Sequence, residues 1–158
     1  MAVGSESTPS AEEAGEFLES FDTFATAVRR ARGVTALDAD ALTLSQYGLL
    51  QALAEREAAR VSELATEAGI AASTATRILD TLERRSIVRR TRSPEDRRGV
   101  TVTLTEHGRA ALRTQGDWMR SRQLSFYATL PSDEQALAPD LLIRLAGLID
   151  ELAAGDPG

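Results

Sequence analysis

The side chains in this sequence best suited to chemistry are its arginines and short hydroxyls, and they cluster. Residues 77–98 hold eight Arg against four Asp and Glu, a local charge of +4. The rest of the chain holds ten Arg against twenty acids, a local −10, so the net −6 conceals a basic patch on an acidic body. Such asymmetry is an electrostatic footprint with a preferred orientation toward a polyanion. Ser73, Thr74, Thr76 and Arg77 stand together just ahead of the patch, and Arg92, Arg97 and Arg98 near its end. Hydroxyls suit phosphates and base edges, and a guanidinium can take O6 and N7 of one guanine together. Arg97 and Arg92 read as phosphate contacts, with plain surface charge as the alternative. Asp96 repels phosphate, so its use is to orient Arg98 or a neighbouring Arg through a charge-assisted hydrogen bond, unless it only forms a turn. Arg84, Arg85, Arg89 and Arg90 lie further from the reading end and raise the local potential.

Bond-making chemistry has little to work with. The chain has no Cys and no Lys, and His107 is its one histidine. That removes disulfides, thiol redox sensing, Cys-based zinc sites and Schiff-base lysines. No Gly-rich phosphate loop and no GxSxG elbow occurs. Paired acids such as Glu12-Glu13 and Asp133-Glu134 fall at helix starts, where the helix dipole accounts for them. The expectation is therefore no catalytic residue, no metal and no cofactor. Codon bias in a GC-rich genome would account for the exclusive use of Arg, though Arg also suits bidentate phosphate and guanine contacts.

The elements that would position these residues are legible from periodicity. From Ser73 to Arg85 the chain reads as a helix, with Ala75, Ile78, Leu79 and Leu82 as one apolar stripe and the hydroxyls and Arg77 opposite. Val100, Val102 and Leu104 alternate with Thr101 and Thr103 as a half-buried strand, and Ile87 to Thr91 is its partner. Upstream, Thr43 or Ser45 can cap a helix to about Glu57, with Tyr47, Leu49, Leu50 and Leu53 inward. A short helix from Ser62 to Ala68 follows, and Gly69 supplies the turn into the polar-faced helix. Two short helices around a Gly turn, then a basic ribbon, make a winged helix-turn-helix.

Longer helices flank this module. One runs from about Ala11 to Arg32 with Phe17, Leu18, Phe21, Phe24, Ala25 and Val28 in its stripe. Thr105 can cap another to about Thr129. After Pro131, Ser132 to Gln135 reads as a capping box for a last helix to about Ala154, kinked or begun as 3₁₀ at Pro139. Apolar stripes on helices outside a compact basic module point to homodimerisation, which would set two reading helices about 34 Å apart. Residues 1–10 read as a disordered leader, and 11–158 as one domain. Within it, 43–105 is the DNA-binding lobe, and 11–33 and 106–154 are dimerisation helices. The N-terminus has no basic or apolar signal region and no run reaches the ~20 apolar residues of a bilayer span, so a soluble cytoplasmic protein without a membrane partner is expected.

The segment Asp96-Arg-Arg-Gly-Val-Thr-Val-Thr-Leu-Thr-Glu-His-Gly108 closely resembles the DxRxxxxxLTxxG wing signature of MarR-family transcriptional regulators. Asp96, Arg98, Leu104, Thr105 and Gly108 fall in register. Leu42 to Tyr47 looks like that family's second-helix opening, Val61 to Ala65 like its third helix, and Ser73 to Arg77 like its recognition helix. Three positions depart from the pattern. Ala71 and Ala72 stand where a capping Ser or Thr and often a Pro are usual, so Ser73 could start the helix later. Ser86 replaces a common Gly and must tolerate a less usual turn conformation. The resemblance implies that Arg98 enters the minor groove. It also implies a small-molecule effector, often an anionic aromatic, held between the DNA lobe and the dimer helices. Tyr47, Trp118 and first-helix arginines are conceivable lining, with core packing the better account of Tyr47 and Trp118.

The sequence is therefore read as a mainly α winged helix-turn-helix homodimer. It would regulate transcription on pseudo-palindromic double-stranded DNA as a ligand-responsive repressor. Two rivals are a winged-helix module for protein partners, working through its acidic helices, and a stand-alone small-molecule binder. Clustered wing arginines and steep salt dependence on DNA separate the first reading from both.

Overall fold

The computed structural model describes residues 10–33, 41–92 and 100–155. Six helices and three short strands follow one another: α1 (Ala11–Gly33), α2 (Leu44–Ala54), β1 (Ala59–Arg60), α3 (Val61–Glu67), α4 (Ala72–Arg84), β2 (Val88–Arg92), β3 (Val100–Leu104), α5 (Glu106–Tyr127) and α6 (Ser132–Ala154). The chain divides into two compact units between Gln115 and Gly116, inside α5.

In the first unit, the apolar stripes of α2, α3, α4 and the sheet meet in one core. Leu49, Leu50, Leu53, Leu64, Leu79, Leu82, Ile87, Val88 and Val102 are fully buried, and among the described residues no polar or charged side chain is. Each such aliphatic residue contributes roughly 1.5–3 kcal/mol relative to exposure. Tyr47 and Ile78 pack on the rim of this core, half-buried. Thr43, rather than Ser45, caps α2 in a full capping box. Its hydroxyl accepts from the Gln46 amide (3.1 Å), and the Gln46 side chain accepts from the Thr43 amide (3.1 Å). The helix ends at Ala54, three residues short of the expected Glu57.

The sheet is antiparallel in the order β1-β3-β2. The ribbon expected from sequence is β2 and β3, with Val88 opposite Leu104 and Arg92 opposite Val100. A third strand was not anticipated. Ala59 and Arg60 pair with Val102 and Thr101, and two residues of low β-propensity carry no alternation to read. At the start of α1, Ser10 and Glu13 form a capping box. The Ser10 amide and hydroxyl both donate to the Glu13 carboxylate (2.8 Å each), and the Glu13 amide donates to the Ser10 hydroxyl (3.2 Å). Phe17 and Phe21 lie on one side of this helix with ring centroids 6.2 Å apart.

The second unit holds the end of α5 and all of α6. The expected capping box at Ser132 does not form. Pro131 occupies the N-cap position and has no side chain able to cap. The Gln135 side chain instead reaches back, donating to the carbonyls of Tyr127 (3.2 Å) and Leu130 (2.9 Å) at the end of α5. Helix α6 runs unbroken through Pro139, with no 3₁₀ start. Proline at 139 has no N–H for the Gln135 carbonyl, and the Tyr127 hydroxyl donates to that carbonyl instead (3.3 Å). None of the 23 residues of α6 is buried: Leu142 and Ile143 are 61% and 72% exposed. Trp118 is 60% exposed, so core packing within the chain does not account for it.

Candidate nucleic-acid interface

Two turns of the same design hold α4. After α3, the Gly69 amide donates to the Thr66 carbonyl (3.1 Å) and the Ile70 amide to the Ala65 carbonyl (3.0 Å), with Gly69 at φ +62°. This Schellman arrangement closes the helix and swings the chain into α4. After α4, the Ser86 amide donates to Glu83 (2.9 Å) and the Ile87 amide to Leu82 (2.9 Å), with Ser86 at φ +56°. Ser86 thus takes the left-handed conformation that its place in the sequence demanded.

Helix α4 starts one residue earlier than the apolar stripe suggested, at Ala72. Ala71 is its N-cap and supplies no side-chain hydrogen bond, so Ser73 does not take over the capping role. The good helix former Ala72 occupies N1, which places Ser73 and Thr74 in the first turn. The inner face, Ala75, Leu79 and Leu82, is fully buried. That fixes the rotation of the outer face: Ser73, Thr76 and Arg77 are exposed and Thr74 is half-buried. The uncapped N-terminus presents amides and the positive end of the helix dipole beside these hydroxyls, an arrangement suited to a phosphate.

The outer face is more differentiated than its composition implied. The Thr76 hydroxyl donates to the Ala72 carbonyl (2.9 Å), so it offers a neighbour lone pairs and a methyl group but not its proton. Arg77 has no ion pair among the described residues. It borders an open cleft of 430 Å³ with Gln46, Ile78, Asp80, Thr81 and Arg84. The Arg84 guanidinium donates to the Thr81 hydroxyl (3.1 Å). Arg85 turns inward, donating to the Ala41 carbonyl (3.2 Å) ahead of α2.

Arg90 is occupied in a way that sequence reading missed. One guanidinium nitrogen meets Asp80 (2.5 Å) and Glu83 (3.0 Å) of α4, and the other donates to the Thr76 carbonyl (3.4 Å). The Arg90 backbone amide donates to Glu83 as well (3.1 Å). Positions 76, 80 and 83 follow i, i+4, i+7 spacing, a stripe that faces a strand folded back after a tight turn. That spacing was the available signal.

Arg92 is exposed at the end of β2. Asp96, Arg97 and Arg98 lie outside the described residues. The structure does define what holds the ribbon that flanks them in the sequence. The Thr105 amide and hydroxyl donate to the Ile87 carbonyl (3.1 and 3.0 Å), and the hydroxyl also reaches the Ser86 carbonyl (2.6 Å). The Gly108 amide in turn donates to the Thr105 hydroxyl (2.9 Å), capping α5. Thr105 and Gly108 of the signature therefore tie the exit of α4 to the start of α5.

Helix α3, a Gly turn and α4, backed by a three-stranded sheet whose outer hairpin is basic, define a winged helix-turn-helix protein. The model of the MarR family matches residues 42–100. Among relatives, the uncharacterized HTH-type transcriptional regulator YfiV of Bacillus subtilis (strain 168) is 32% identical over 105 residues, 65% of this chain and 64% of YfiV. The HTH-type transcriptional regulator FarR of Neisseria gonorrhoeae is 30% identical over 111 residues, 70% of this chain and 76% of FarR. The PcaV transcriptional regulator from Streptomyces coelicolor matches in structure with a TM-score of 0.60 and 30% identity, over 68% of this chain and 79% of PcaV. PcaV has also been solved in complex with its natural ligand, and that structure is 25% identical over 93% of this chain and 98% of its own, with a TM-score of 0.60. The chain spans just under two thirds of the length of YfiV. It belongs to the MarR family.

Among the described residues, no helix is long and apolar enough to cross a membrane, and no group of three or more His, Asp or Glu is placed to hold a metal ion. One carboxyl has a displaced pKa: hydrogen bonds from the Ser10 amide and hydroxyl hold Glu13 below its usual range.

Proposed function

We propose that this protein is a transcriptional regulator that binds pseudo-palindromic double-stranded DNA as a homodimer and represses until a small molecule releases it. The observation that carries the reading is the rotation of α4. Its buried face fixes Ser73, Thr76 and Arg77 outward from a helix whose uncapped N-terminus leads. In a major groove, Arg77 would take a guanine edge, Ser73 and Thr74 backbone phosphates, and Thr76 a base amino group or thymine methyl. Arg92, Arg97 and Arg98 would extend the contact along the wing, with Arg98 in a minor groove and Asp96 holding it.

The division of labour follows. Residues 43–105 form the DNA-binding lobe, and 11–33 with 106–154 the helices that pair two copies. Support for pairing comes from the apolar side chains that α1, α5 and α6 leave exposed, among them Phe17, Phe24, Trp118 and Leu141. Ligand control draws on PcaV, which has a natural ligand. An anionic aromatic effector would shift the spacing of the reading helices away from about 34 Å and lower affinity. The protein would work in the cytoplasm, where its DNA is.

The test is fluorescence anisotropy on the gene's own upstream DNA and on scrambled DNA, across a salt series, with Arg77→Ala and Arg98→Ala. Tight, salt-sensitive binding of the upstream duplex is expected, and each variant should lose roughly 1–3 kcal/mol. Absence of binding to either duplex at low salt would overturn the reading.

A further inference from the structure

The geometry points to Arg90, Asp80 and Glu83 as a clamp that positions the wing against the reading helix and thereby sets operator discrimination. None of the three touches DNA in this proposal, which rests on the DNA-binding reading above. By composition Arg90 belongs to the basic patch. By geometry its guanidinium is spent, shared between two carboxylates and the Thr76 carbonyl of α4.

The placement of these bonds gives them their effect. Arg90 sits mid-strand in β2, opposite Val102 of β3, so its side chain fixes the ribbon as a body rather than one loose end. Its three acceptors lie along one stripe of α4, beginning at Thr76 in the reading segment itself. The Arg90 side chain is 23% exposed, against 50% for Asp80 and 39% for Glu83, so the cation is the shielded member of the network. A guanidinium presents its donors in a rigid planar fork, so it holds these acceptors with less loss of side-chain freedom than an ammonium on a flexible stem.

The acids also carry a separate consequence. The triad has two carboxylates and one guanidinium, so it leaves net negative charge beside the reading face. That charge opposes approach of any phosphate backbone, whatever the sequence. The clamp therefore favours a matched site by holding wing and helix in register for it, while its net charge weakens every duplex alike.

Removing the acids separates this from simple electrostatics. If Asp80 and Glu83 only screen the patch, Asp80→Asn with Glu83→Gln should tighten binding to every duplex. If they hold the clamp, that double variant should lose about tenfold on the tightest duplex selected by the wild type from a random pool, as for partners in one hydrogen-bonded network. Its binding to scrambled duplex should hold or rise. Arg90→Ala should show the same loss with an unchanged salt slope, and Arg90→Lys should recover part of it. Thermal unfolding of each variant identifies loss of fold, and the isosteric single change Asp80→Asn keeps the test open if Arg90→Ala does not fold.

A double variant that binds both duplexes more tightly in equal proportion overturns the clamp. So does a salt slope that falls by about 1 in Arg90→Ala, the mark of a lost phosphate contact. Wild-type protein that selects no duplex overturns the DNA-binding reading and the clamp with it. Wild-type selectivity that all four variants share overturns the clamp alone.

Discussion

Gly108 lies so close to Ile87 that a Cβ built on it would stand 2.0 Å from the Ile87 carbonyl oxygen. The first turn of α5 thus rests directly on the backbone leaving α4. Thr105 joins the two by hydrogen bonds to the same carbonyl. The glycine of the wing signature is a packing requirement, since the obstructing atom is backbone and cannot rotate away. Gly108→Ala is expected to cost about 3 kcal/mol, the upper part of the range for overpacked sites. Urea unfolding of the variant against wild type measures it, and a loss under about 1 kcal/mol would show that α5 can shift freely.

The missing cap on α4 can be supplied. Ala71 already has the extended N-cap backbone, φ −63° and ψ 143°, and is exposed. Ala71→Ser should therefore stabilise the protein by about 1 kcal/mol. A raised thermal midpoint with unchanged helical content checks this, and an unchanged midpoint would mean that water serves the first-turn amides equally well.

Acid should loosen the start of α1. The Ser10 amide and hydroxyl depress the Glu13 pKa, so the contribution of this capping box is complete above the usual carboxylate range. It is lost as pH falls through the lowered folded value. A carboxyl titration followed by NMR should find Glu13 below the usual carboxylate range, returning to it in Ser10→Ala. Coincident titration in both proteins would remove the box as a cause.

The apolar side of α6 gives the pairing proposal a direct test. Leu142→Glu and Ile143→Glu change side chains that are exposed in the single chain, so the stability of the folded monomer should move by less than about 0.5 kcal/mol. Sedimentation should nevertheless show a dimer for wild type and loss of dimer in at least one variant. Two dimeric variants would mean that these positions stay in solvent after pairing.

Sequence periodicity carried much of the fold because buried stripes obey it. Both faces of α4 were readable from Ala75, Leu79 and Leu82, and β3 from the alternation of valine and threonine. The unusual turn at Ser86 could be foreseen from the family resemblance, since Ser86 stands where that pattern commonly has Gly. Three features escaped for separate reasons. Strand β1 is too short to show a period. Ser132 matched a capping box by spacing, but Gln135 found its acceptors in α5, a tertiary contact that local spacing does not encode. Arg90 was grouped with the surrounding arginines because composition assigns charge but not partners. Among the residues proposed to contact DNA, Ser73, Thr74, Thr76 and Arg77 occupy one helix end, and Arg92 ends β2.

The two-residue strand β1 changes how the lobe comes apart. With β1 on one side and β2 on the other, β3 has bonded neighbours along both edges, and Val102 at its centre is fully buried. Successive residues of β3 turn their amides to alternate edges, so the strand loses all of its protection only when β1 and β2 both leave it. The base of the wing is then no independently melting hairpin. It shares one cooperative opening with the helices beneath it, and its slowest-exchanging amides report the global stability of the whole lobe.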